Sequence, residues 1–267
     1  MIFAAKLRLP LAITLATLGL QLGAAQPQTF DVKQLEVKKG ELELGLDNTF
    51  HSHVPHARGS DINRTINEVG LDYGALTWWK ISGVFKFEKP EQDEYRFAKV
   101  ALESVFILKD IDDKATRDFG LGWFASVEGS VNRDTTNAVQ AGPIVTFKAD
   151  KLSMTANPFF ERTFGRNHIE GTALVYGWQA KYDIRQGFAA GIEGFGVVEN
   201  LGNSPAWEDQ EHRIGPVLYT ELELAKGVTI APDVGVLFGL TRATPDVAVK
   251  FNVGIPLYQQ ANGRKGD

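Results

Sequence analysis

The sequence lacks cysteine altogether, which excludes disulfides, thiolate metal sites and cysteine nucleophiles. Basic residues are also scarce, since 28 lysines and arginines face 33 acids and give a net charge of −5. An acidic chain argues against a general nucleic-acid binder. No apolar run reaches the roughly 20 residues that a membrane-spanning helix needs. The pattern therefore excludes helical membrane proteins and leaves strands as the means of crossing a bilayer.

The first 25 residues have the pattern of a cleavable export signal. Lys6 and Arg8 form a basic start, residues 9–20 are almost wholly apolar, and Gly23-Ala24-Ala25 supplies small residues for a signal peptidase. The alternative is an N-terminal anchor, but the apolar run is too short to span a bilayer. Cleavage after Ala25 leaves 242 of the 267 residues. The net charge then becomes −7, because two bases and no acids are removed.

Strict alternation of apolar and polar residues dominates the rest of the sequence. In the stretch Glu41-Leu42-Glu43-Leu44-Gly45-Leu46-Asp47, a strand would put the leucines on one face and the carboxylates on the other. Twelve such stretches predict an all-β fold, an antiparallel up-and-down transmembrane β-barrel of about 12 strands. The predicted strands are 40–51, 63–75, 78–88, 95–108, 119–130, 138–149, 152–164, 171–183, 188–199, 212–224, 228–241 and 246–258.

Alternation alone also fits an exported soluble β-sandwich carrier, which remains an alternative. Three further features favour a bacterial outer-membrane barrel: strands of about 10 to 14 residues, aromatic residues at strand ends and connections that alternate between short and long. Short turns are then periplasmic and long loops extracellular. The predicted organisation is a signal peptide (1–25), a periplasmic N-terminal segment (26–39), the barrel (40–258) and a polar C-terminal tail (259–267).

If the apolar faces contact lipid, the polar faces line the barrel lumen. One interpretation is a neutralising network that fills a narrow, structural barrel, because isolated buried charges are costly. The other is a passive channel for small solutes that favours cations, since acids outnumber bases. The predicted lumen-lining residues are Glu41, Glu43, Glu68, Asp72, Lys80, Lys86, Lys99, Glu103, Glu128, Lys148, Glu161, Lys181, Glu193, Glu221, Glu223 and Lys250.

The five histidines all fall in predicted extracellular segments, and three of them, His51, His53 and His56, surround the first long loop. Imidazoles beside carboxylates suit zinc, nickel or copper, so these three are candidate metal ligands. The alternative is that histidine simply prefers polar loops, while acidic loops bind Ca²⁺ or Mg²⁺ near lipopolysaccharide. Outer-membrane lipid and lipopolysaccharide are the predicted partners, and nucleic acid is not.

An enzyme is the least favoured class, although His51-Ser52-His53 is reminiscent of an outer-membrane hydrolase. Adjacent strand residues point to opposite faces, so neither histidine is expected to activate Ser52. The sequence has no glycine-rich phosphate loop and no supported pair of catalytic acids. We therefore predict neither catalysis nor a cofactor.

Four stretches carry a resemblance to small bacterial outer-membrane proteins. They are Gly40 to Leu46, Leu76-Thr77-Trp78, Ala225 to Thr229 and Asp246 to Gly254. Across residues 40–258 the chain resembles the group that includes phenol-degradation-pathway barrels and twelve-stranded substrate channels. The resemblance implies passive transport of small or hydrophobic solutes. The chain departs from such barrels in the polar tail that follows Tyr258.

Overall fold

The computed structural model describes residues 29–54, 62–90, 93–112, 114–132, 136–225 and 228–258. The predicted signal peptide and C-terminal tail lie outside these residues, as does His56. Within the described ranges, no helix is both long and apolar enough to cross a membrane.

Twelve antiparallel strands form a closed barrel, which confirms the predicted fold class. Each strand pairs with the next as far as β10, which pairs with β13, and β14 closes the barrel against β1. The barrel strands are β1 (Leu42–Val54), β2 (Ile62–Leu76), β3 (Trp79–Pro90), β4 (Arg96–Lys109), β5 (Arg117–Ser130), β6 (Asn137–Ala149), β7 (Leu152–Phe164), β8 (Ala173–Arg185), β9 (Phe188–Val198), β10 (Glu211–Thr220), β13 (Asp233–Gly239) and β14 (Val247–Tyr258).

The alternation explains the two faces of the wall. Leu71, Leu102 and Val249 point outward and are 44%, 57% and 41% exposed, although they are large and apolar. Exposed apolar side chains on every strand are stable only against lipid, so the outer face is the membrane face. Aromatic residues gather where strands end, as Trp79 does on Phe106 with ring centroids 6.1 Å apart.

The barrel has two distinct ends, defined here by the strands that they connect. At the turn end lie the connections β2–β3, β4–β5, β6–β7 and β8–β9, three of which are two residues long, together with the longer connection from β10 to β13. At the loop end lie the connections β1–β2, β3–β4, β5–β6, β7–β8, β9–β10 and β13–β14. The β9–β10 loop contains two short 3-10 helices, Leu201–Asn203 and Trp207–Asp209.

The prediction of two continuous strands at 212–224 and 228–241 is wrong in one respect. The barrel portion of β10 ends at Thr220 and that of β13 begins at Asp233. Between them, β11 (Leu222–Ala225) and β12 (Val228–Ile230) pair with each other as a separate two-stranded sheet. Pro232 lies just before β13 and has no N–H to donate to a ladder, which favours the break at this position.

The N-terminal part of the chain also differs from its prediction. We expected a periplasmic segment at 26–39, but residues 29–39, called here the plug segment, enter the barrel. Phe30 to Leu35 contact the inner wall, whereas Lys38 and Lys39 are exposed near the turn end. The side-chain amide of Asn252 donates to the carbonyl of Phe30 at 2.8 Å, and that of Asn157 donates to the carbonyl of Lys33 at 3.1 Å. The physical reason is that the segment carries apolar side chains, which gain free energy by leaving water.

Two glycines let the chain turn back into the lumen at the turn end. Gly40 has a φ of 78°, a left-handed conformation that glycine adopts without strain. Its N–H donates to the carbonyl of Gly74 at 2.7 Å. A Cβ on Gly74 would lie 2.0 Å from the carbonyl oxygen of Lys38, so only glycine permits this approach.

Candidate functional site: the plugged lumen

The apolar side chains of the plug segment pack against the wall in two clusters. Phe30 and Val32 form one cluster, with wall residues Phe195, Leu237 and Ala248. Leu35 forms the other, with Val105, Phe124, Ile144 and Phe159. Burial of one such side chain contributes about 1.5–3 kcal/mol. The plug segment is therefore anchored on separate parts of the wall by hydrophobic contacts.

Wall side chains also satisfy the polar groups of the plug segment. Besides the amides of Asn157 and Asn252, the Thr155 hydroxyl donates to the side-chain carbonyl of Gln34 at 3.2 Å. None of residues 29–39 belongs to a strand, so these contacts replace the ladder that holds the rest of the chain. The plug segment is thus held in the barrel by side-chain contacts and is not one of its strands.

Lys33 of the plug segment makes the main charged contact. Its Nζ lies 2.9 Å from Oε2 of Glu103 on β4 and 3.1 Å from Oδ2 of Asp31. The same nitrogen lies 5.7 Å from the centroid of the Phe124 ring. A carboxylate and an aromatic face together are the environment that an ammonium group prefers.

Phe30 occupies an aromatic site nearer the loop end of the lumen. Its ring meets His51 edge-on, with centroids 5.3 Å apart, and lies 5.0 Å from Phe195. The Arg213 guanidinium stands 4.5 Å from the Phe30 centroid and is held by Glu211 at 2.7 Å. The ring is almost completely buried among these groups.

The plug segment separates two cavities within the lumen. The loop-side cavity has a volume of about 330 Å³, and Arg64, Arg96 and Lys99 are among the residues that line it. The turn-side cavity has a volume of about 540 Å³ and is lined by Lys181 and Asp233 among others. Asp31 borders both cavities. The lumen is therefore polar on both sides of the plug segment.

Ion pairs cover much of the inner wall, some between paired strands and others between strands that are not adjacent in the barrel. Lys86 joins Glu68 at 3.2 Å and Glu128 at 2.8 Å, while Lys99 reaches Glu128 at 2.5 Å. Further pairs are Lys80–Asp72 at 3.2 Å, Arg96–Glu88 at 2.7 Å, Lys250–Glu193 at 2.6 Å and Lys250–Asp233 at 3.0 Å. Such pairing lowers the cost of holding charge in a narrow barrel.

Most of the predicted lumen-lining residues take inner positions. Glu41 pairs with Lys38, Glu161 accepts from Gln140, Lys181 lies over the Tyr219 ring and Lys148 is opposite Asp118. The Glu43 carboxylate covers Gly254, whose Cβ would lie 2.6 Å from it. The remaining inner positions are those of the ion pairs above together with Glu103, which contacts Lys33.

Two of the predicted lumen residues lie elsewhere. Glu223 is on β11, outside the closed barrel, and is exposed. Glu221 is exposed at the rim of the turn-side cavity rather than within the wall. Both errors have the same cause, since the alternation continues past Thr220 after the ladder to the barrel has stopped.

Sequence reasoning missed the plug segment and several wall residues. The alternation Phe30-Asp31-Val32-Lys33 was a readable signal that this segment has one apolar and one polar side. Arg64 and Glu88 follow the polar phase of their strands, so the same reasoning could have added them to the predicted lumen-lining residues. Phe159 is not a lipid-facing aromatic residue, since it is buried in the lumen and stacks on Phe124 with ring centroids 4.6 Å apart.

The histidines do not come together as the sequence suggested. His51 lies within β1, is fully buried and contacts Phe30, whereas His53 is exposed. His212 is likewise buried in β10, where Tyr176 Oη lies 2.6 Å from its Nδ1. Among the described residues, no three histidines or acids are placed to hold a metal ion. The remaining predicted ligand, His56, lies outside those residues.

The side chains of Ser52 and His53 do not point to opposite faces, as those of adjacent strand residues do. The Ser52 hydroxyl lies 2.7 Å from Nδ1 of His53, although the two are adjacent. His53 has a φ of 54°, which breaks the strand geometry and rotates its ring toward Ser52. Asp246 approaches the same Nδ1 at 3.7 Å. A catalytic relay needs the base and the orienting acid on different ring nitrogens, so this arrangement is not a triad.

Comparison with known proteins gives similarity at the level of structure. No protein-family description and no curated protein matches the sequence. An outer membrane channel from Pseudomonas putida F1 matches with a TM-score of 0.55 and 11% identity, over 87% of this chain and 100% of that chain. NanC porin matches with a TM-score of 0.48 and 10% identity, over 82% and 100% of the two chains.

KdgM porin in complex with disordered oligogalacturonate matches with a TM-score of 0.47 and 10% identity, over 82% of this chain and 99% of that chain. The similarity to the Pseudomonas channel concerns the fold, and it agrees with the strand count and the apolar outer wall described above. The chain therefore has the fold of the small twelve-stranded outer-membrane β-barrels, and its apolar outer face places it in a bacterial outer membrane.

Proposed function

We propose that the protein is a passive channel for small solutes, closed at rest by the plug segment. The observation that carries this proposal is the division of one polar lumen into two cavities by a segment outside the strand ladder. Removal of the plug segment joins the cavities without breaking a barrel hydrogen bond between strands. A barrel with a purely structural role would have no need of polar cavities at both ends.

Conductance separates this channel from a structural barrel whose lumen is filled by its own side chains. Phe30→Ala and Leu35→Ala each remove an anchor of the plug segment, at a cost of about 2–5 kcal/mol to its docking. We expect both variants, and a chain lacking residues 29–39, to conduct more than the wild type in planar bilayers. The matched controls are Leu71→Ala and Phe251→Ala, which remove equivalent groups from the lipid face.

A correctly folded protein without residues 29–39 that still fails to conduct would overturn the channel and support the structural barrel. A rise of equal size in the lipid-face controls would show that general destabilisation, rather than loss of the plug, opens the lumen.

Cation preference is a second part of the proposal. Lys33 and Asp31 leave the lumen together when the plug segment is displaced, so Glu103 loses its partner cation. Asp47, which interacts electrostatically with Asp31, Lys33 and Glu68 in the closed state, loses both plug charges. The whole segment carries three lysines and two acids, so its departure removes a net charge of +1 and leaves the lumen more acidic, which favours cations inside.

We expect Glu43→Gln, Asp47→Asn and Glu68→Gln, combined in a plug-free chain, to lower the cation preference measured as a reversal potential across a salt gradient. The effect should shrink as salt rises, because ions screen the wall charges. Glu223→Gln is the control, since it changes an acid outside the barrel. Anion preference in the plug-free chain would contradict the proposal.

Outer-membrane lipid around the wall and lipopolysaccharide at the loop end remain our predicted partners.

A further inference from the structure

The contacts of Lys33 outline a binding site in the wall that a plug side chain occupies. Two of its parts belong to the barrel, the Glu103 carboxylate at 2.9 Å and the Phe124 ring at 5.7 Å. Only Asp31 comes from the plug segment itself. When the segment leaves, the carboxylate and the ring stay behind without the ammonium group that they hold.

A second lysine in the lumen shows the same combination of groups. Lys250 Nζ lies 2.6 Å from Glu193, 3.0 Å from Asp233 and 5.8 Å from the Phe195 centroid. That lysine belongs to β14, so its site is filled permanently. The difference is that the cation at Glu103 is carried by a removable segment and can be exchanged.

An apolar hollow adjoins the ammonium position. Leu35 is packed by Val105, Phe124, Ile144 and Phe159, so its departure uncovers these side chains. Phe124 borders both the Lys33 ammonium and the Leu35 side chain. The exposed surface then combines a carboxylate, a ring face and a short apolar pocket within one part of the wall.

We propose that this surface binds small organic amines as their ammonium ions, with the charged head at Glu103 and Phe124 and the alkyl chain in the Leu35 hollow. This assignment rests on the proposed channel function, because it names a solute class for the open lumen. Inorganic cations satisfy the carboxylate but leave the apolar hollow empty. Glu103 and Phe124 line the loop-side cavity, so a solute reaches the site from the loop end.

Binding of n-butylammonium to the purified, refolded protein tests the site by calorimetry. Lys33→Ala combined with Leu35→Ala empties both halves, and we expect it to bind n-butylammonium at least about tenfold more tightly than the wild type. Addition of Glu103→Gln should abolish that gain. Lys38→Ala is the control, because Lys38 is an exposed lysine of the same segment that pairs with Glu41 instead.

The uncharged 1-butanol separates specific binding from general apolar adsorption, and it needs no change to the wall. Equal affinity of the double variant for 1-butanol and n-butylammonium would overturn the proposal even if the Glu103→Gln protein failed to fold. So would unchanged affinity for n-butylammonium between the wild type and the double variant.

Conductance of the plug-free chain distinguishes failure of this inference from failure of the channel. A chain that conducts K⁺ but shows no preference for n-butylammonium under bi-ionic conditions would remove the amine site and leave the channel intact. A chain that conducts no ion would overturn the channel itself, and the amine then has no role as a transported solute.

Discussion

Glycines on the inner wall provide the space in which the plug segment lies. A Cβ on Gly120 would come within 2.5 Å of Leu35 Cδ1, and one on Gly122 within 2.4 Å of Leu35 Cδ2. The two positions differ in their other neighbours. Gly122 also faces the backbone carbonyl of Phe106 at 2.7 Å, whereas the other close neighbour of Gly120 is the Ile111 side chain. Gly120 therefore allows the plug to be disturbed without a clash in the wall backbone.

We predict that Gly120→Ala raises the fraction of time that the channel is open. The added methyl group overpacks the Leu35 site, which costs about 1–3 kcal/mol in the plug-bound state, whereas its contact with the Ile111 side chain does not involve the plug. Single-channel recording measures the open fraction. Gly83→Ala is the matched control, because a Cβ at Gly83 would meet nothing within 4 Å. An open fraction identical to that of the wild type would mean that Leu35 does not hold the plug.

Single residues also show what the sequence could and could not predict. Glu68, Lys80 and Lys86 were assigned to the lumen by their phase alone, and each takes part in an ion pair there. Phe124 and Phe159 share the phase of Glu128 and Glu161, so alternation places them on the inner face as well. What alternation could not show is their partner, because the plug segment lies far away in sequence.

At the scale of elements, strand positions were largely predictable because each strand has one apolar and one polar face. The prediction of 152–164 coincides with Leu152–Phe164, and that of 63–75 differs from Ile62–Leu76 by one residue at each end. The break after Thr220 was not predictable from alternation. Both β11 and β12 keep the pattern of a barrel strand but pair with each other.

The outward face of β4 gives a direct test of these assignments. Leu102 is opposite Val127 on β5, and both side chains are more than half exposed. Leu102→Arg should destabilise the folded barrel by about 2–4 kcal/mol if the residue lies near the bilayer midplane. Unfolding in lipid vesicles by denaturant measures this loss. Leu102→Ala, which keeps the face apolar, should cost less, and equal costs would contradict lipid contact at this position.

At the scale of the whole molecule, the barrel and its plug depend on each other. The lumen supplies the buried surface that Phe30, Val32 and Leu35 require, and the plug segment fills space that would otherwise hold water. This relation explains why residues 29–39 were predicted for the periplasm. The location of a short segment before the first strand cannot be predicted from that segment alone. It depends on whether the closed barrel has an interior large enough to hold it.

The orientation of the molecule in the membrane follows from the difference between its two ends, and labelling of intact cells tests it. Long loops of outer-membrane barrels face outward and short turns face the periplasm. Ser204 lies exposed in the β9–β10 loop, and Lys151 lies exposed in the β6–β7 turn. Because the natural sequence has no cysteine, Ser204→Cys and Lys151→Cys each create a unique thiol. An impermeant maleimide should label the first variant on intact cells, and the second only after the outer membrane is permeabilised. Labelling of Lys151→Cys on intact cells, with Ser204→Cys protected, would reverse the orientation and mean that the plug segment turns into the lumen from the cell exterior.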